Sequence, residues 1–109
     1  MPSYFSSAPR TRPLSPETAR RLDLVFRPEH RSEAETLLVE RCGNNLPVCK
    51  SYSAVQLERL RFAALKLSGG NLTALREAVD LANVDWRDLL MAADFGWDAT
   101  AHHRWLPKE

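Results

Sequence analysis

The sequence predicts an all-α fold: a compact bundle of five or six short helices behind a disordered N-terminal arm. Three observations predict it. Apolar residues recur at three- and four-residue intervals, with no useful strand alternation after residue 26. Capping serines, asparagines and aspartates, with prolines and glycines, break the chain into short segments. A length of 109 residues, 44% hydrophobic and 27% charged, suits one globular domain with a single core.

Residues 1–15 carry Pro2, Pro9 and Pro13 among serines and arginines. Such a composition buries too little apolar surface to offset the entropy of ordering the backbone. A flexible basic arm is expected there, either mobile or docked through Tyr4 and Phe5 on the domain or a neighbour, and one helical domain over 16–109.

Ser15-Pro16-Glu17 reads as a helix start, because the serine oxygen caps free amides and proline at the first helical position forfeits no hydrogen bond. The first helix is expected from Pro16 to about Phe26. Leu22, Val25 and Phe26 fit helical spacing, although Leu22, Leu24 and Phe26 also alternate as a strand would. Pro28 opens a second helix with Ala34, Leu37 and Leu38 inward, which runs to Cys42 and stops at Gly43. Asn44 to Pro47 reads as a turn, and the stretch to Tyr52 as irregular.

Ser53 and Gln56 have the spacing of a capping box, so a third helix is expected over 54–67. Its stripe is Leu57, Leu60, Ala63, Ala64 and Leu67; Phe62 and Leu65 fall outside it among charges. This helix is expected to be central. The same two residues, read as exposed, offer a surface for self-association across a two-fold axis. Gly69-Gly70 ends the helix, and Asn71 caps a fourth that carries Leu72, Leu75, Ala78, Val79 and Ala82 to Asn83. Asp85 caps a fifth, with Trp86, Leu89, Leu90 and Ala93, ending near Gly96; Asp98 caps a short sixth with His102, His103 and Trp105.

The net charge is +1, from 15 Lys and Arg against 14 Asp and Glu, so no global field draws the chain to nucleic acid or an anionic membrane. The basic excess lies in front: Arg10, Arg12, Arg20, Arg21, Arg27 and Arg31 against Glu17, Asp23 and Glu29. No stretch approaches the ~20 apolar residues of a membrane helix, and residues 1–16 lack a signal-peptide core, which predicts a cytoplasmic protein. Cys42 and Cys49 are accordingly expected as reduced packing thiols.

Val79, Asn83, Val84, Leu89 and Ala92 have helix-turn-helix spacing, with Asn83 in the turn. The second helix would present Arg87 beside Asp88 and Asp94, and those carboxylates repel a phosphate backbone. Zinc-ligand types are present in Cys42, Cys49, His30, His102 and His103, but no two cysteines are two to four apart. Adjacent histidines on a helix diverge by about 100°. No metal site and no cofactor are expected. Asp94, Asp98 and His102 recur every four residues and would suit acid–base work only on one continuous helix, which Gly96 interrupts. His30 and Arg41 fall at the edge of the second helix's apolar side, where long stems cover the core and polar ends reach water.

No catalytic motif is found, and the chain is not expected to be an enzyme. Three tryptophans crowd its last quarter, either to close the core or to anchor a partner. The expected function is a protein-protein interaction or regulatory module with Trp86, Arg87, Trp97, Arg104 and Trp105 as candidate partner-binding residues. The alternative is a helix-turn-helix-like DNA-binding regulator using residues 72–94 and the basic arm.

Overall fold

The computed structural model describes residues 13–42, 54–98 and 100–107. Among these are six helices and no strand: α1 (Pro16–Val25), α2 (Pro28–Arg41), α3 (Ala54–Ser68), α4 (Leu72–Val84), α5 (Trp86–Ala92) and α6 (Ala101–Arg104). The expected arm lies outside the described residues up to position 12. So do the expected stop at Gly43, the 44–52 turn, the Ser53 capping box and Cys49.

Each helix boundary has a local cause. Ser15 caps α1, its oxygen accepting the Thr18 amide at 3.1 Å. Pro28 forces Arg27 into an extended conformation, which separates α1 from α2. Gly69 and Gly70 end α3 at φ +57° and +87°, a left-handed region that costs glycine little. Gly70 is doubly constrained, because a Cβ there would stand 2.7 Å from the Val25 carbonyl oxygen at the end of α1. Asn71 caps α4 through the Ala74 amide at 2.9 Å. Asp85 alone links α4 to α5 in extended backbone, and its carboxylate accepts the Arg87 amide at 3.0 Å.

α3 lies at the centre, packed by α1, α4, α5 and α6, while α2 covers α1 and α4. This position corrects the reading of Phe62 and Leu65 as exposed: both are wholly buried. A central helix buries most of its circumference, so neighbours on other sides take residues outside the main stripe. Self-association through that pair therefore has no surface to use. Arg61 is buried as well, its Nε donating to the Cys42 carbonyl at 2.9 Å and Nη1 to that of Pro13 at 3.1 Å. Cys42 is buried and has the expected packing role. Lys66 donates to the Ala93 carbonyl at 2.8 Å and Arg59 to that of Phe95, so two cations of α3 hold the chain leaving α5.

α5 ends at Ala92, earlier than the expected stop near Gly96, because Asp94 turns left-handed at φ 64°. None of the helices among the described residues is long and apolar enough to cross a membrane.

Candidate functional site

The structure disperses the five candidate partner-binding residues. Trp105 is half-buried, its ring 6.1 Å from that of Phe62 and 6.3 Å from that of Phe95. Trp86 is likewise half-buried against the core. Trp97 is 78% exposed. Arg87 is exposed, with its guanidinium 5.9 Å from the Trp86 ring and 3.5 Å from Asp85. Arg104 is exposed and pairs with Asp98 at 2.8 Å. Two tryptophans thus help close the core, and one stands in solvent.

Asp98 organises the turn into α6, where Thr100 holds the cap position. Its Oδ1 accepts both the amide and the hydroxyl of Thr100 at 2.8 Å. The Arg104 hydrogen bond, with those from Thr100, holds the Asp98 carboxyl far below the usual range, so it stays ionised. Asp94, Asp98 and His102 do not share a face: α5 has ended before Asp94, Asp98 is turned outward, and His102 is turned inward.

The helix-turn-helix spacing does not describe the packing of α4 on α5. Val79 and Leu89 are buried, but Val84 is 82% exposed and Ala92 is exposed. Asn83 is still helical, its side chain donating to the carbonyls of Val79 at 2.8 Å and Arg41 at 3.0 Å. The break falls at Asp85 instead. At the front of the chain Arg20 and Arg27 are exposed, but two other arginines are not free cations. Arg21 is buried and paired with Glu17 at 2.7 Å, and Arg31 pairs with Asp23 and Glu35. At the edge of α2, His30 is exposed and Arg41 pairs with Asp80 at 2.7 Å.

Two features result. In the first, Met91 and Trp97 flank Gly96, where the Met91 thioether occupies the space a side chain would need. Asp88, Asp94 and Asp98 in α5 and the chain after it are exposed, as are Arg87 and Arg104. Arg87 pairs with Asp85 and Arg104 with Asp98, while Lys66 and Arg59 of α3 donate to the carbonyls of Ala93 and Phe95 on the same stretch.

The second feature centres on His102, which the sequence offered among zinc-ligand types and in the Asp94, Asp98, His102 set. The residue is fully buried, 5.3 Å from the Phe62 ring and 6.3 Å from Phe95. Neither ring nitrogen has a hydrogen-bond partner among the described residues. Burial, then the charge of His103, pushes its pKa down to about 4, with Arg59 and Arg21 adding to the shift and Glu58 opposing it. The His103 ring stacks 3.9 Å from it at 36°. Ligand atoms of Glu58, His102 and His103 lie within 4.8 Å of one another. Adjacent positions of α6 still diverge, His102 inward and His103 outward, yet their rings lie against each other. One signal in the sequence bore on this: Glu58 stands one helical turn before Phe62, so whatever packs on Phe62 comes near Glu58.

A cleft of about 240 Å³ between α1, α3 and the C-terminal segment is lined by Leu24, Val25, Leu65, Lys66, Gly69, Trp105 and Pro107. It is smaller than the ~300–1,000 Å³ typical of small-molecule sites. No family model matches this chain, and neither a curated protein nor a solved structure matches it.

Proposed function

We propose that the protein is an interaction module that binds another protein through the Met91–Trp97 surface, and that its partner presents an apolar side chain flanked by Lys or Arg. The observation that carries this reading is the 78% exposure of Trp97 in a small domain whose other two tryptophans are drawn into packing. An exposed indole loses substantial apolar area to water, and tryptophan is enriched among the residues that dominate binding energy. Asp88 and Asp94 are exposed and make no ion pair among the described residues, which favours a basic partner and disfavours a phosphate backbone.

The full-length chain and its Trp97→Ala variant, immobilised in parallel, test this against a displayed peptide library and against nuclease-treated lysate. Peptides with an apolar anchor and flanking Lys or Arg should be enriched by the wild type and lost by a variant whose circular dichroism is unchanged. Identical recovery by the two chains, or recovery that vanishes with nuclease, overturns the reading; the latter result would favour the α4–α5 DNA-binding alternative.

A further inference from the structure

We propose that Glu58 of α3 and His102 and His103 of α6 form a binding site for a divalent transition metal ion of the zinc class, which clamps α6 onto α3. This lies outside the Met91–Trp97 reading and does not depend on it.

The donor set comes first. Two imidazoles and one carboxylate match zinc and its first-row neighbours, whereas magnesium and calcium are held by oxygen ligands. The second observation is independent of the cluster. A fully buried imidazole whose two nitrogens both lack partners among the described residues carries an uncompensated desolvation cost. Coordination supplies a partner for one of them.

The geometry needs little change. The three ligand atoms lie within 4.8 Å of one another. A tetrahedral zinc with bonds of 2.0–2.1 Å spaces its ligands about 3.4 Å apart. Exposed His103 and half-buried Glu58 are placed to close that gap by rotating, while His102 stays fixed by Phe62 and Phe95. Ser15 donates its hydroxyl to Oε2 of Glu58, an outer-shell contact that orients a ligand carboxylate. Arg21 and Arg59 oppose the cation, but Arg21 is offset by its ion pair with Glu17 and Glu58 brings a carboxylate to the site. Three protein ligands leave a fourth position for water.

The clamp has a mechanical reason. α6 is four residues long, and its cap residue makes no side-chain cap hydrogen bond. One ion bonded to α3 and α6 would add a constraint that so short a helix cannot supply itself.

The full-length chain, stripped with chelator and desalted, should be titrated with zinc chloride by calorimetry and with cobalt(II) chloride by visible absorption. One equivalent of zinc should bind, cobalt should give the intense bands of a tetrahedral complex, and the unfolding temperature should rise with zinc. His103→Ala and Glu58→Gln, neither of them a fully buried residue and both checked by circular dichroism, should each weaken zinc binding at least about tenfold. His30→Ala should leave it unchanged. Absence of saturable binding below about 100 μM zinc overturns the proposal. So does less than about tenfold weakening in either variant, since the ion then sits elsewhere in the chain.

Discussion

Phe62 of α3 and Trp97 of the loop between α5 and α6 have opposite fates, although that loop also buries Phe95. On α3, Phe62 lies among charged residues in sequence, yet it is wholly buried, with the Arg21 guanidinium 4.2 Å from its ring centre and the rings of His102 and Trp105 beside it. In the C-terminal segment, Trp97 lies in an aromatic-rich stretch, yet it is mostly in solvent. The comparison teaches that burial follows from how many neighbours a backbone position has. α3 has helices on several sides, so a residue outside its main stripe still finds cover; the loop between α5 and α6 leaves one side to water.

The sharpest way to break this contrast is truncation of both aromatics. Phe62→Ala removes a ring on which Arg21, His102 and Trp105 converge, and should cost about 3–5 kcal/mol in denaturant unfolding. A loss below about 1 kcal/mol would show that α3 is not enclosed. Gly70→Ala tests the end of α3. It forces a side chain into left-handed backbone and against the Val25 carbonyl, and should cost about 2–3 kcal/mol, measured by the same unfolding curve.

Acid probes the buried imidazole that joins the two regions. With its folded pKa pushed down to about 4 from an ordinary 6.5, His102 binds a proton more readily in the unfolded chain. Its contribution is therefore complete above about pH 6.5 and is lost as pH falls toward 4. In metal-free protein the loss should be about 2–3 kcal/mol. Unfolding curves between pH 7 and 4 measure it, and His102→Phe should flatten that dependence.

The smallest effect completes the comparison. Trp97→Ala should change stability by no more than about 0.5 kcal/mol, because its ring makes little use of the fold. A larger loss would make Trp97 a structural residue and leave the Met91–Trp97 surface without its anchor.

Much of the fold was legible from short-range chemistry. Ser15, Asn71 and Asp85 cap the helices they were expected to cap, and Gly69-Gly70 ends α3, because these effects are decided within a few residues. The candidate sites were less so. Helical periodicity identified the first stripe of α3 but gave no sign of the neighbours that cover Phe62 and Leu65. Reading His102 and His103 as diverging gave no sign that their rings, set by contacts with Phe62 and with each other, lie together.

By itself the sequence determined that this chain is all-α and where most of its helices start and stop, because hydrophobic periodicity and capping act through bonds at most four residues apart. Only the tertiary structure decided which tryptophan meets solvent, that Arg21 and Arg61 are buried, and that Glu58 comes to two histidines more than forty positions away. Those outcomes depend on the packing of distant segments, and a local pattern carries no distance between them.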